Sequence, residues 1–412
     1  MKKLGFTFSL LLCSVFASAQ AADTLTFVQY NLLKYADASC IPLTTKNNRL
    51  KLIFNHLKPD ILTVNEMAPN TTAVNSLLNN ALVFNPNMKA TTFSNTTNSD
   101  VVNMLYYNSA KLGYISHSVI KGNIRDIDVY RLFHKAGTQP GDTLDFYCIS
   151  AHFKASQGNA NALERAEAAA DINTWLAQRP QILRYMVSGD FNIYSSTEPA
   201  FQTLLERFVD PIDQTEGWQG IQYAAVHTQS PADGTDPCAV EGGMDDRFDF
   251  IMLSPSVFSA AEAISYAPES YQVVGNNGAS YNNALNCVNN YTVPYGVCTT
   301  LRNASDHLPV TLKLLVGGNT PVHTPTRAQL QFRLMGNPVL GDFATLYSLE
   351  NEAGLYQWQL CNTAGQICEQ GKQQLAPNQR LEIPLHKLSA GIYFLTLQSF
   401  DGRIVSFKLV KG

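Results

Sequence analysis

The chain predicts a large α/β domain followed by a small β-sandwich. Three observations carry that expectation. As far as Val316, short β-branched or aromatic runs alternate with polar and helical segments. The stretch Gly317-Gly318-Asn319-Thr320-Pro321-Val322-His323-Thr324-Pro325-Thr326 then loses hydrophobic periodicity and gathers Gly, Pro and Thr, as linkers do. Beyond it, short alternating runs are separated by turn residues, Gly336-Asn337-Pro338, Asn362-Thr363-Ala364-Gly365 and Asp401-Gly402. A length of 412 residues suits two or three domains, and a 45% hydrophobic composition supplies their cores.

The N-terminus reads as a cleaved secretory signal over residues 1–20. Lys2 and Lys3 precede an apolar run at 4–16, and Ala17-Ser18-Ala19 supplies the small residues of a signal-peptidase site. Leu12 is too bulky for the usual lipid-attachment site before Cys13. The run is shorter than the ~20 apolar residues that span a bilayer, and no later stretch reaches that length without polar interruption. The expected organisation is a catalytic-type domain at 21–316, a linker at 317–328 and the sandwich at 329–412. Within the large domain the strand candidates are 24–31, 61–65, 101–107, 144–151, 185–189, 248–253 and 308–315. Helices are expected at 47–57 and at 161–178, where alanines and spaced apolar residues form one face.

Composition excludes some partners. With 29 basic and 33 acidic residues the net charge is −4, so no global positive field marks a nucleic-acid or anionic-membrane binder, although a local basic groove is compatible with it. Charged residues are only 15%, against ~25% in an average soluble chain, which suits an exported protein. Of the eight cysteines, Cys13 falls in the signal, which leaves an odd set for an oxidising compartment. Cys148, inside an apolar strand, is the free thiol expected. Cys287 with Cys298 and Cys361 with Cys368 would close short loops, and Cys40 with Cys238 a long one. No Cys/His spacing resembles a zinc site.

Polar residues at strand ends carry the chemistry. Asn31 closes the first strand and Glu66 the next, where a carboxylate with an Asn amide can hold a hard cation. His152 emerges directly after the apolar strand 144–151. In Gly189-Asp190-Phe191-Asn192, Asp190 and Asn192 sit two apart on what reads as extended chain, so both face one side while Phe191 faces the core. That spacing suits one group that takes a proton from water beside another that holds a phosphate. Asp249 is an acid embedded between aromatics and needs a partner, a His or an Asn, to orient. In Ser305-Asp306-His307 a carboxylate in reach of His307 would raise its pKa and leave a cationic donor. Asp306 does that, or it binds metal while another acid orients His307.

In this order, Gln29-Tyr30-Asn31, Asn65-Glu66, Ala151-His152-Phe153-Lys154, Gly189-Asp190-Phe191-Asn192, Phe248-Asp249-Phe250-Ile251 and Ser305-Asp306-His307-Leu308-Pro309-Val310 resemble the endonuclease/exonuclease/phosphatase superfamily. The resemblance implies a four-layered α/β sandwich, two mixed sheets face to face with helices outside. It implies phosphoester hydrolysis with Mg²⁺, Mn²⁺ and Ca²⁺ being the alternatives. Carried over, Glu66 is the principal metal ligand and Asn31 its neighbour. Asp190 positions or deprotonates water, Asn192 holds phosphate, and His307 stabilises the pentacovalent phosphorus, with Asp249 and Asp306 orienting groups around it. His152 resembles the second histidine of the deoxyribonuclease and sphingomyelinase branches, and Arg125 matches a phosphate-contacting arginine of some members.

The tail segments 388–395, Asp401-Gly402-Arg403-Ile404-Val405 and Lys408-Leu409-Val410-Lys411-Gly412 resemble the C-terminal sorting domain of type IX secretion cargo. That resemblance implies the type IX machinery as a partner and a secreted or cell-surface destination after the periplasm. Nucleic acid is the leading substrate. Phospholipid headgroups and inositol phosphates are the alternatives, and a non-catalytic surface-binding protein is the reading from another class. Trp175, Trp218 and Trp358 are too scattered for the aromatic hairpin of a membrane-acting sphingomyelinase. The Asn- and Tyr-rich segment 268–302 either borders the cleft, stacking bases through Tyr271, Tyr281, Tyr291 and Tyr295, or is a disulfide-clipped surface loop.

Overall fold

The computed structural model describes residues 23–412 except 121, 136–143, 213–216, 233, 235, 261, 318–329, 331, 336, 340, 349, 351–352, 364–365, 377–378 and 400–402. The signal at 1–20, the linker apart from Gly317, and the turn residues Gly336, Ala364, Gly365, Asp401 and Gly402 therefore lie outside the described residues. The chain divides into two compact units, Met1–Thr320 and Pro321–Gly412.

In chain order the first unit runs β1 (Asp23–Tyr35), α1 (Leu43–Leu57), β2 (Ile61–Met67), α2 (Thr71–Asn80), β3 (Met88–Ala90), β4 (Val102–Asn108), β5 (Leu112–Ile120) and β6 (Ile127–His134). It continues with β7 (Leu144–His152), α3 (Asn159–Ala177), β8 (Tyr185–Asp190), α4 (Pro199–Leu205), β9 (Asp249–Leu253), α5 (Pro255–Phe258), β10 (Ile264–Tyr266), β11 (Gln272–Val273), α6 (Tyr295–Ala304) and β12 (Val310–Val316). The strands form two mixed sheets. One has the order β10-β12-β1-β2-β4-β3, with β11 also on β12, and the other the order β5-β6-β7-β8-β9. Among the described strands of this unit, β1 with β2 and β7 with β8 pair in parallel.

Side-chain alternation decides which residues lie between the sheets. On β7, Phe146 and Cys148 enter the inner core while Ile149 and Ala151 join the outer one. On β9, Ile251 and Leu253 face inward, and Phe250 and Met252 outward. The outer face of the second sheet is covered by Ala169, Ile172 and Leu176 of α3 and by Ala200, Phe201 and Leu204 of α4. On the first sheet α1 packs against β1, with α2 and α6 beside it. Helix, sheet, sheet and helix make the four layers.

The elements missed by pattern reading have mixed polarity. The β5/β6 hairpin carries Ser116, His117, Ser118, Asp128 and Arg131, and its one deeply buried acid, Asp128, meets His117 Nε2 at 2.7 Å. Cys40–Cys238 and Cys287–Cys298 are disulfides, and Cys148 is free and buried.

The second unit is built of β13 (Phe332–Met335), β14 (Phe343–Ser348), β15 (Gly354–Asn362), β16 (Ile367–Leu375), β17 (Arg380–Pro384), β18 (Gly391–Ser399) and β19 (Ile404–Lys411). Two antiparallel sheets, β13-β14-β17 and β16-β15-β18-β19, enclose a core that includes Leu346, Leu360, Ile383, Leu395 and Leu409. The expected Cys361–Cys368 disulfide does not form, and both thiols are free. Cys361 pairs with Ile367 and Leu360 with Glu369, so Cys368 is the extra residue of a β-bulge and its side chain is not opposite Cys361.

Candidate active site

The site lies at one end of the two sheets. Register puts His152 beside Asp190 across β7/β8, and Asp190 beside Asp249 across β8/β9. On the facing sheet Asn31 pairs with Asn65. Gly189 permits the parallel pairing, because a Cβ there would run into the Ala151 carbonyl. Glu66 follows Asn65 with a positive φ of 60° at an irregular step in the β1/β2 and β2/β4 ladders, which turns its carboxylate toward Asn31.

The contacts converge on Asp190. Its Oδ2 accepts a hydrogen bond from Asn31 Nδ2 at 2.9 Å and lies 3.4 Å from His152 Nε2 and 3.6 Å from His307 Nε2. Asn31 Nδ2 also donates to Glu66 Oε1 at 3.0 Å, and Glu66 Oε2 accepts the Lys34 N–H. Asp249 Oδ2 stands 2.7 Å from His307 Nδ1 and so fixes that ring's tautomer and plane. The Asp249 N–H is anchored in turn by Thr228 Oγ1.

Burial and charge set the protonation states. Burial, then the neighbouring Asp249 and Glu66, push the Asp190 carboxyl up to about 7 against the opposing pull of His307 and Asn31. Burial disfavours the His307 cation, but Asp249 and Asp190 outweigh it and raise its pKa well above the usual histidine value. His152 goes the other way: burial, then Arg125 and His307, lower it well below that value, so its ring is neutral. The two histidines thus carry different charges around one carboxylate.

Three further candidates sit at the edge of this group. Arg125 Nη1 donates to the Phe153 carbonyl at 3.2 Å, and its charge is felt by both Glu66 and Asp190. Asn192 Nδ2 donates to the same carbonyl at 3.4 Å, while its N–H goes to Asp190 Oδ1. The extended path expected through Asn192 is a correction: β8 ends at Asp190 and Asn192 takes a φ of 49°, a left-handed conformation that Asn tolerates. Phe191 does face the core, stacked between Phe153 and Phe250. Asp306 Oδ2 accepts the Val240 N–H at 2.9 Å and is not among the clustered ligand atoms of the described residues.

Glu66, His152 and Asp190 each offer an atom within 4.8 Å of the others. Two carboxylates this close, one of them buried, could hold a cation between them, to which the His152 imidazole would add a nitrogen ligand. Asn31 faces the carboxylates with Nδ2, because its Oδ1 takes the Leu33 N–H at 2.9 Å. Ligation through Oδ1 requires that amide to rotate.

The sequence assigns no role to the residues beneath the site, although Gln29 and Asn65 stand in the segments that carry the resemblance. Asn65 Oδ1 accepts the Asp190 N–H at 2.9 Å and Gln29 Nε2 at 2.5 Å, while its Nδ2 donates to Asn103 Oδ1 at 2.7 Å. Thr63 and Ser188 meet between the sheets at 2.8 Å. The available signal was the alternation of Thr63 and Asn65 within an otherwise apolar strand. Of the two readings of segment 268–302, the disulfide-clipped surface loop is the one that fits, with Cys287 bonded to Cys298 and Tyr291 exposed. Tyr271 packs against the main core, and Tyr295, 65% exposed, starts the ten-residue α6 whose last residue precedes Ser305. At ~1.5 Å per residue the helix carries it about 15 Å from the His307 end.

No family model matches the chain, and no curated protein matches it. Solved structures similar to it include endonuclease/exonuclease/phosphatase family proteins. D. rerio TDP2 complexed with a single-strand DNA product is 15% identical with a TM-score of 0.48, covering 71% of this chain and 98% of that one. A family protein from Bacteroides thetaiotaomicron is 15% identical, TM-score 0.45, covering 73% and 97%. The human Nocturnin catalytic domain with bound sulfate is 13% identical, TM-score 0.41, covering 71% and 97%. At these values they are likenesses only.

Proposed function

We propose that the first unit is a divalent-metal-dependent phosphoester hydrolase, acting as an extracellular nuclease by in-line attack of water. The observation that supports it is the meeting of Asn31, His152 and His307 on one oxygen of Asp190, at 2.9, 3.4 and 3.6 Å. Glu66, Asp190 and His152 are the residues that would hold the cation, Mg²⁺ first among the choices. When bound, such an ion supplies neutralisation of the non-bridging phosphate oxygens.

Every other part is supplied by the chain. Asp190, a buried carboxylate within reach of both histidines, accepts the proton of the attacking water. His307, kept cationic by Asp249, presents Nε2–H to the charge that develops on phosphorus or the leaving oxygen. Arg125 and Asn192, both tied to the Phe153 carbonyl, hold substrate phosphate at the rim.

Nucleic acid is favoured over lipid because Trp218 and Trp358 are buried in the two cores rather than presented to an interface. No helix of the described residues is long and apolar enough to cross a membrane. Delivery follows from the ends of the chain: the N-terminal signal directs export, and the β-sandwich is the address read by type IX machinery. The test is metal-dependent cleavage of plasmid DNA, RNA and sphingomyelin by the purified protein beside an H307A control. Cleavage of DNA or RNA that H307A loses supports the reading; cleavage of sphingomyelin alone moves it to lipid. Cleavage of none favours a binding module.

A further inference from the structure

Lys46, on α1, is 2% exposed, and its Nζ has no hydrogen-bond partner among the described residues. Asp236 is 5% exposed, its Oδ2 is likewise unpartnered, and the two atoms face each other at 3.9 Å. The short loop that begins at Asp236 is built toward the site. Asp236 Oδ1 accepts the Cys238 N–H, the Val240 N–H donates to Asp306 Oδ2 at 2.9 Å, and Ser230 Oγ donates to the Val240 carbonyl. Cys238 is bonded to Cys40, just ahead of α1. The loop is thus tied to the α1 side twice, by disulfide and by ion pair, and to Asp306 once, one residue before His307. Val240 itself is 53% exposed, so its side chain does not anchor the loop in a core.

A buried ion pair contributes little net stability, and apolar replacement is often neutral or better. Stability therefore does not account for this one, whereas loop placement does. We propose that Lys46 is a positioning residue for the phosphoester reaction: its buried ammonium holds Asp236, and with it the loop whose Val240 N–H fixes Asp306 beside His307. This rests on the hydrolase reading above. The fields of Asp306 and Glu66 also reach Lys46, so the charge joins the same electrostatic set as the candidate metal residues.

The test compares wild type, K46M, D236N and K46M/D236N by thermal melting, by hydrogen exchange at the Val240 amide, and by kcat and KM for bis-p-nitrophenyl phosphate with Mg²⁺. The double variant strands no buried charge, so its melting returns toward wild type and separates positioning from folding. We expect Val240 exchange to rise about tenfold or more in all three variants. The expected kcat falls about tenfold or more with KM within about twofold, the double variant included. A double variant with wild-type kcat, or unchanged Val240 exchange, overturns the proposal. Wild-type protein without turnover overturns the hydrolase reading and leaves the clamp to stand or fall on the exchange measurement.

Discussion

His307 Nδ1 lies 2.7 Å from Asp249 Oδ2, and both groups are buried at the end of the two sheets. The carboxylate keeps a buried imidazole charged where burial alone would discharge it, raising its pKa well above the ordinary value. Asp249→Asn removes that charge while keeping the shape. We expect kcat to fall by about 10²–10⁴ with the fold intact, the range that loss of a positioned acid–base partner carries. The alkaline limb of the pH–rate profile moves to lower pH, because the active cationic His307 is lost earlier. Steady-state kinetics over a pH series, with circular dichroism, checks both.

Asp190 gives the opposite limb. Its carboxyl is raised from 3.8 to about 7, so between those values the folded chain binds a proton that the unfolded chain has released. Stability contributed by this group therefore falls as pH rises through that window and stays low above it. A bound cation favours the ionised form and offsets the loss. Melting temperatures should thus rise more on adding Mg²⁺ at about pH 8 than at about pH 5, where the proton competes. Equal rises at both values contradict the assignment.

Glu66→Gln keeps the Asn31 contact available but removes the charge that, with Asp190, would hold a cation. Mn²⁺ affinity by calorimetry should weaken about 10- to 100-fold. Chelation of wild type should abolish turnover, and added ion should restore it.

Asn65→Ala leaves the Asp190 N–H and Asn103 Oδ1 without their Asn65 contacts between the sheets. Each stranded buried group costs about 1–3 kcal/mol. Denaturant unfolding should show a loss of that order, and kcat should fall as the Asp190 backbone loosens.

Much of this was legible because alternation and strand ends are local properties. Residues 146 and 148 in one core and 149 and 151 in the other follow from period two alone, and His152, Asp190 and Asp249 fall at the ends of strands that the apolar runs predict. Their adjacency follows from register, which parallel β7/β8 and antiparallel β8/β9 pairing supply and sequence does not print. The left-handed turn at Asn192 was read as extended because Asn and Asp fit strand ends and turns alike. Cys361 and Cys368 looked like a closed loop until a bulge shifted one of them. Lys46 and Asp236 were invisible, since a lysine on a helix is ordinarily solvated and only tertiary packing buries it.

The most direct measurement is Mg²⁺-dependent hydrolysis of bis-p-nitrophenyl phosphate by the wild-type protein beside Asp190→Asn and His307→Gln. The account predicts turnover that ceases with chelator and drops by about 10³-fold or more in each variant, with unchanged circular dichroism. Equal turnover in all three proteins, or turnover indifferent to the ion, would contradict a single phosphoester site gathered around Asp190.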